Sequence, residues 1–203
     1  MVKFIDKKNS YVDVNVKFGR GCVVYPFSVI EGNCIFGDNV VIGSNCHVKD
    51  SLIGNDCSIY GSYIFDSEIG DNCVVGPFSY IRDNVVIDNN VKIGTFVEIK
   101  TTEIGINSKV PHLSYIGDSV IGNDVNIGGG AITANYDGKK KHKTVFNDGC
   151  FVGVNSTLIA PLNIGKNSVV GAGSTITRSL PDDSLAIARL RQENKINYYK
   201  KSN

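Results

Sequence analysis

The chain has 203 residues, a length that fits one domain or one elongated array of repeats. Lysine and arginine together number 21 against 20 aspartates and glutamates. A net charge of +1 argues against a protein that binds nucleic acid or a membrane surface through its overall charge. The first ten residues lack a long apolar stretch, so we expect neither a signal peptide nor a membrane anchor there, and a cytoplasmic location.

Aliphatic or phenylalanine residues recur at steps of six, and in places five, from Val12 to Ile127 and again from Phe146 to Ile176. This period is typical of a solenoid in which each hexad forms a short strand and a turn, and three hexads form one coil. The recurring residue is position 1 of its hexad and should fill the core. Residues at the same position one coil apart should stack at about 4.8 Å. The pattern predicts an all-β parallel β-helix over 1–181.

All six cysteines occupy position 5 of a hexad, which should also point inward. A small apolar slot suits a reduced, buried thiol. Zinc sites need closely spaced ligands, and no two of these cysteines are closer than eleven residues. We therefore predict free, buried thiols that bind no metal. The six are Cys22, Cys34, Cys46, Cys57, Cys73 and Cys150.

A pair of basic residues stands out in the middle of the repeat. Arg82 and Lys100 both occupy position 2 and are three hexads apart, so they should stack on one outward edge. Two cations held about 5 Å apart repel each other and favour an anion such as a phosphate beside them. Glu98 should be close enough to moderate this charge without neutralising both cations.

Other polar residues are expected at the same edge. Tyr115 follows Glu98 in the stack of position 6, and His112 lies three residues upstream of Tyr115. Asn126 falls one coil above the hexad of His112, and Asn135 opens a polar segment next to the same corner. Polar groups that converge around a titratable histidine are the usual mark of a site.

The period fails at 133–145, which is too long for the hexad count, polar and rich in lysine. We predict that this segment is a loop extruded from the solenoid, where functional residues often lie. From 182 to 203 the pattern changes again. The run Leu185–Gln192 predicts a short helix in a C-terminal tail that covers the open end of the solenoid.

Several segments resemble a family closely, and the resemblance covers essentially the whole chain. The most specific are His-Leu-Ser-Tyr-Ile-Gly-Asp at 112–118 and Asn-Tyr-Asp-Gly-x-x-Lys at 135–141. They resemble the acetyltransferase domain of the bacterial bifunctional N-acetylglucosamine-1-phosphate uridyltransferase / glucosamine-1-phosphate acetyltransferase, within the hexapeptide-repeat acyltransferases. In full, the matching segments are 76–82, 94–100, 108–118, 126–138, 141–144 and 185–189. No uridyltransferase domain is present in this sequence.

The resemblance implies a left-handed β-helix and transfer of an acetyl group from acetyl-CoA to the amine of glucosamine 1-phosphate, without a metal. It implies a homotrimer with sites between subunits, in which His112 is the general base and Lys141 reaches a neighbour's site. The residues that would bind the sugar phosphate are Arg82, Lys100, Tyr115, Asn126, Asn135 and Lys141. The residues that would line the acetyl-CoA groove are Gly129, Tyr136, Val154, Ala172 and Arg189.

The chain departs from the family pattern at three places. It has Arg82-Asp83-Asn84 where the family commonly has Arg-Pro-Gly, Val154 where serine is frequent, and Gly129 where alanine is frequent. The first departure leaves the backbone after Arg82 less constrained. The second puts a polar contact to coenzyme A in doubt.

Three alternatives stay open. An acetyltransferase for another amino sugar or amine would give Arg82 and Lys100 no phosphate to bind. A zinc hydratase on the same fold needs closely spaced histidines, whereas His47, His112 and His142 are separated by 65 and 30 residues. The third alternative is a non-catalytic scaffold or assembly subunit.

Overall fold

The computed structural model describes residues 2–196, 198 and 199. The chain winds as a left-handed parallel β-helix whose short strands form three faces around one core. Each strand pairs in parallel with its equivalent one coil away. Val24, for example, pairs with Ile42, and Ile64 pairs with Ile81. A coil therefore takes 18 or 17 residues, which confirms the prediction that three hexads make one turn of the solenoid.

The first face is a sheet of 11 strands, and the other two faces share 17 strands, because two long strands turn the corner between them. The strands of the first face are Lys3–Phe4, Val23–Val24, Val41–Ile42, Ser58–Ile59, Val74–Val75, Lys92–Thr95, Lys109–His112, Asn126–Ile127, Phe151–Val152, Val169–Val170 and Leu185–Ala186. The strands of the second face are Tyr11–Val12, Val29–Glu31, His47–Lys49, Tyr63–Phe65, Tyr80–Arg82, Ile132–Ala134, Thr157–Ile159 and Thr175–Ile176. The strands of the third face are Lys17–Phe18, Ile35–Phe36, Leu52–Ile53, Ser67–Ile69, Val85–Ile87, Thr144–Phe146 and Leu162–Ile164. The two shared strands are Glu98–Ile104 and Tyr115–Ile121.

The core is a column of position 1 side chains, as predicted. From Val24 to Ile176 every one of these residues is buried, and only Val12 and Phe18, near the first coil, are partly exposed. All six cysteines are free and buried, with at most 1% of their surface exposed, so the prediction of inward thiols is confirmed.

The corner between the third and first faces is built from asparagine and aspartate. One residue per coil there adopts the left-handed conformation, which these side chains tolerate best after glycine. Where this residue is Asn39 or Asn107, its side chain bonds to the next coil, from Asn39 Nδ2 to Asp56 Oδ1 at 3.0 Å and from Asn107 Nδ2 to Asp124 Oδ1 at 3.0 Å. These ladders satisfy polar groups at the turn and keep successive coils in register.

The corner between the second and third faces takes a step of either five or six residues. In the coils on either side of Arg82 the step has five residues, from Ile64 to Ile69 and from Ile99 to Ile104. The step from Ile81 to Ile87 has six residues. Since Arg82 pairs with Lys100, while the amide of Asn84 donates to Asp66 O in the coil before, Asp83 is the extra residue. Asp83 and Asn84 are both left-handed, with φ of 61° and 60°.

The predicted C-terminal helix is wrong. Leu185–Ala186 forms the last strand of the first face, paired with Val169–Val170, and the described residues after it carry no helix. The exposed backbone of the last coil offers unpaired donors and acceptors, and pairing with them outweighs the local helix propensity of this run. The single helix of the described residues is a 3-10 turn at Lys7–Asn9, and none there is long and apolar enough to cross a membrane.

Candidate active site

The stacked cations lie where the repeat predicts them, on neighbouring strands at the corner between the second and third faces. Arg82 and Lys100 are direct partners in the parallel register. Tyr80, Glu98 and Tyr115 form the adjacent column, again in register. The guanidinium of Arg82 lies 5.2 Å from the centre of the Tyr80 ring, which fixes the plane of the side chain.

The cations are not left unpaired, and this corrects the expected charge of the edge. Glu98 Oε1 accepts from Arg82 Nη2 at 2.7 Å and from Nε at 3.2 Å. Asp83 Oδ2 lies 2.9 Å from Arg82 Nη1 and 2.9 Å from Lys100 Nζ. Asp83 raises the pKa of Lys100, Glu98 raises the pKa of Arg82, and the Lys100 ammonium holds the pKa of Asp83 below its usual value. Glu98 is thus held by Arg82 through two hydrogen bonds.

A second polar cluster lies one coil beyond Lys100. Gly117 is the register partner of Lys100, and its missing side chain leaves a gap in the column. A Cβ at Gly117 would lie 2.5 Å from the hydroxyl of Tyr115 and 2.6 Å from Nδ2 of Asn135, so these two side chains occupy that gap. Asn135 is 7% exposed, and its Nδ2 donates to the Tyr115 hydroxyl at 3.4 Å and to Asp118 Oδ2. Tyr115, Asn135 and Asp118 thus form a small cluster of polar side chains beside the cations, which we call the polar pocket.

The predicted loop begins after Ala134 and ends before Thr144, so it is slightly shorter than 133–145. It folds into a tight hairpin in which Tyr136 and Lys141 form an antiparallel bridge. Asp137 accepts from the amides of Lys139 and Lys140, and its Oδ2 lies 2.6 Å from His142 Nε2. His142 is the main cause that lowers the pKa of Asp137 to about 2. The hairpin is therefore tied internally by one carboxylate.

Lys141 has a partner in its own chain. Its Nζ lies 3.7 Å from Asp118 Oδ2, the same oxygen that accepts from Asn135. The resemblance implies that Lys141 reaches the site of a neighbouring subunit. Within the single chain, the hairpin folds back onto the strand that carries Asp118. Lys141 therefore joins the polar pocket of its own chain, about half exposed.

His112 ends a strand of the first face, at the corner that leads to the second face. It pairs with Thr95 below, and its carbonyl accepts from the Gly130 amide above at 3.3 Å. The imidazole is exposed and lies three residues before Tyr115. His112 therefore faces solvent at the edge of the face that carries the cations and the polar pocket.

The predicted acetyl-CoA residues continue the column above His112. The Asn155 amide donates to Gly129 O, and the Gly173 amide donates to Val154 O, each at 2.8 Å, so Gly129, Val154 and Ala172 follow one another up the corner. Arg189 Nε donates to Ala172 O at 2.8 Å and extends the column. Four of the five predicted groove residues are thus aligned with His112.

Two predicted site residues lie elsewhere in the isolated chain. Asn126 pairs with Lys109 in the middle of the first face, not on the second face with Tyr115. Counting coils correctly placed Asn126 one coil above the strand that ends in His112, but Asn126 lies within that face and not at the edge that carries the cations. Tyr136 lies in the hairpin, which leaves the solenoid at the far end of the second face from the Gly129 column. A single chain therefore brings together most of the predicted site and leaves these two apart.

Three residues take part in the site although the sequence predicted no role for them. Asp118 links Asn135 to Lys141, Gly117 makes room for the pocket, and Asp83 binds both cations. Asp118 was visible as the last residue of the segment 112–118. The signal for Asp83 was the six-residue step between Ile81 and Ile87, one longer than the steps at the same corner in the flanking coils.

Comparison with known proteins places the chain in a family. Residues 15–50 and 66–101 match the family described as bacterial transferase hexapeptide (six repeats), and residues 147–178 match the hexapeptide repeat of succinyl-transferase. The bifunctional protein GlmU of Carboxydothermus hydrogenoformans is 52% identical over 199 residues, which are 98% of this chain and 45% of that protein. The chain belongs to the bacterial hexapeptide transferases.

The chain spans less than half the length of the GlmU relatives it matches. GlmU of Geobacillus sp. WCH70 is 50% identical, with 97% of this chain and 43% of that protein covered. Solved structures confirm the fold at lower identity. The UDP-N-acetylglucosamine acyltransferase of Francisella novicida superposes with a TM-score of 0.65 at 20% identity, over 93% of this chain and 67% of that one. The Arabidopsis UDP-N-acetylglucosamine acyltransferase gives 0.66 at 20% identity, over 89% and 70%.

The described residues contain no group of three or more histidine, cysteine, aspartate or glutamate side chains arranged to hold a metal ion. Of the three histidines, His47 lies 3.3 Å from Glu31 and His142 is bound to Asp137, so each has a local partner. The closely spaced ligand set that a zinc hydratase requires is not formed in the part of the chain that the structure describes.

Proposed function

We propose that this protein transfers an acetyl group from acetyl-CoA to the amine of glucosamine 1-phosphate, giving N-acetylglucosamine 1-phosphate for cell-wall precursor synthesis. The observation that carries the proposal is one continuous surface. It joins the stacked cations Arg82 and Lys100, the pocket around Tyr115, and the column of His112. The relatives named GlmU, at 44–52% identity over nearly the whole chain, support the same activity.

Each part of this surface has a chemical task in the proposal. Arg82 and Lys100 bind the phosphate through charge-assisted hydrogen bonds. Tyr115 and Asn135 bind sugar hydroxyls through their side-chain donors and acceptors, which lie one coil beyond Lys100. Lys141 closes that pocket from the hairpin. These contacts place the substrate amine toward the corner where His112 is exposed.

His112 acts as the general base. The amine must be neutral to attack the thioester, and histidine is the side chain suited to accept a proton near neutral pH. The new C–N bond forms as the C–S bond breaks, and the proton taken from the amine passes from His112 to the coenzyme A thiolate that leaves. The cysteines are buried, so direct transfer is favoured over an acyl-enzyme route.

The oxyanion of the thioester needs a donor near His112. Among the glycines at 128–130, the amide of Gly128 donates to Val152 O and that of Gly130 donates to His112 O. The Gly129 amide donates to no acceptor within the described residues. It lies directly above His112, because a Cβ at Gly129 would be 3.4 Å from the Cβ of His112. We assign the oxyanion to the Gly129 amide.

Acetyl-CoA would lie along the column of Gly129, Val154, Ala172 and Arg189, with the guanidinium of Arg189 available to a phosphate of the coenzyme. Val154 is about half exposed, so it offers an apolar surface where a serine would offer a hydroxyl. The direct test is release of free coenzyme A from acetyl-CoA when glucosamine 1-phosphate is added. Release without acceptor dependence, or none at all, would reject the proposal.

We also propose a cyclic homotrimer whose sites lie between subunits. The support is the separation of Asn126 and Tyr136 from the rest of the site within one chain. If the first face of one chain packs toward the second face of its neighbour, Asn126 enters the site that Arg82 begins in the other chain.

Mixed assemblies test this arrangement. At a glucosamine 1-phosphate concentration well below KM, Arg82→Ala chains and Asn126→Ala chains should each lose at least nine tenths of their activity alone. After verified subunit exchange at equal amounts, about one quarter of the interfaces would pair two intact surfaces, so about one quarter of the activity should return. Each chain mixed with itself is the control. No recovery would show that each site is built from one chain.

A further inference from the structure

Asp83 is the extra residue of a corner that is one residue longer than the same corner in the flanking coils. The register places Arg82 opposite Lys100 and Asn84 opposite Asp66, which leaves Asp83 without a counterpart in the coil below. Its left-handed backbone, with φ of 61°, turns the side chain back along the edge. The carboxylate therefore reaches cations that a regular five-residue corner would leave to solvent.

The position of the carboxylate is that of a bound anion. A single oxygen, Asp83 Oδ2, lies 2.9 Å from Arg82 Nη1 and 2.9 Å from Lys100 Nζ. The cation side chains are only 24% and 21% exposed, while Asp83 is 44% exposed. The carboxylate thus covers the solvent side of both cations, along the route by which an external anion would approach.

The charges at the edge balance without a ligand. Arg82, Lys100 and the nearby Lys141 face Glu98, Asp83 and Asp118, three positive groups against three negative ones. A phosphate dianion that enters must break the contacts of a carboxylate. Glu98 holds Arg82 through two hydrogen bonds from a paired strand, whereas Asp83 lies on the corner, outside the paired strands.

We propose that Asp83 is a resident counter-ion that occupies the phosphate position of the empty site and is displaced by the substrate's phosphate. This inference rests on the proposed phosphate role of Arg82 and Lys100. The need to break the contacts of Asp83 lowers the affinity for every anion. A dianion that contacts both cations at once offsets this cost better than a monoanion does. Asp83 therefore makes the site selective for phosphate over carboxylates and other monoanions.

The test compares anion affinity by calorimetry for the wild type and Asp83→Asn. Asparagine tolerates the left-handed backbone, so the corner is kept while the charge is removed. We expect inorganic phosphate to bind about tenfold more tightly to Asp83→Asn, and acetate to become a measurable ligand, because a partly exposed ion pair no longer has to be broken. Asp66→Asn is the matched control, since Asp66 is left-handed at the same corner one coil below, and we expect phosphate affinity within twofold of the wild type.

Weaker or unchanged phosphate binding in Asp83→Asn would overturn the inference and make Asp83 a residue that positions the cations for phosphate. An equal gain in Asp66→Asn would also overturn it, since the effect would then be one of overall charge. Adding Arg82→Ala to Asp83→Asn should abolish the gain. Tighter phosphate binding without acetyl transfer to glucosamine 1-phosphate would reject the proposed function alone, and acetyl transfer with no change in phosphate affinity would reject the inference alone.

Discussion

Replacing His112 by alanine should lower turnover of glucosamine 1-phosphate by roughly 10²–10⁴, the usual contribution of a general base. His112 is exposed at the corner between the first and second faces, in the column that continues through Gly129 and Val154. Its loss removes the group that takes the proton from the attacking amine and leaves the core untouched. Steady-state rates of coenzyme A release, at saturating concentrations of both substrates, measure the effect.

His47→Ala is the matched control for this experiment. His47 also lies on the outer surface, on the second face, and its imidazole pairs with Glu31 at a distance of 3.3 Å. We expect turnover close to that of the wild type. The circular dichroism spectra of both variants should match that of the wild type. An His112→Ala variant that keeps turnover within threefold would remove His112 from the mechanism.

Glucosamine 1-phosphate should be a far better substrate than glucosamine, and Arg82→Ala should remove much of the difference. A charge-assisted hydrogen bond contributes roughly 1.5–3 kcal/mol, about one to two decades in affinity for each cation. We therefore expect kcat/KM for glucosamine 1-phosphate to fall about 10- to 100-fold in Arg82→Ala, and kcat/KM for glucosamine to stay nearly unchanged. The expected loss is no larger because Arg82 must break or rearrange its contacts with Asp83 and Glu98 when the phosphate binds.

Lys49→Ala provides the comparison that separates local contact from overall charge. Lys49 lies in the same column of the second face, two coils before Arg82, and its Nζ is 3.9 Å from Glu31. Its removal changes the net charge by the same amount without touching the proposed phosphate site. If the wild type acetylates glucosamine as well as its 1-phosphate, the phosphate role fails and a different amine acceptor becomes the better interpretation.

The repeat made much of this structure predictable from the sequence. A period of six gives both the inward positions and the vertical neighbours, so the pairing of Arg82 with Lys100, and of Glu98 with Tyr115, followed from counting alone. The burial of the cysteines followed from the same register. Prediction works here because each contact joins residues at a fixed separation along the chain.

The predictions failed where a side chain or the carboxyl end of the chain departs from that regular spacing. The contact of Asp83 with two cations depends on how a six-residue corner turns, which hydrophobic periodicity does not describe. The pairing of Lys141 with Asp118 depends on how the hairpin folds back. At the carboxyl end, a run with good helix propensity became the strand Leu185–Ala186, because the open edge of the last coil supplied backbone partners that an isolated peptide lacks.

The stacking of coils determines the order in which parts of the protein would melt on heating. Within one chain, each coil is held by the coil before and the coil after it, so melting should proceed inward from the two ends. Arg82, Lys100 and Tyr115 lie in the middle of the stack, whereas Arg189 lies against the last coil. Warming the proposed enzyme would therefore weaken the binding of acetyl-CoA while the residues that bind the sugar phosphate are still folded. Activity would be lost at a lower temperature than the fold.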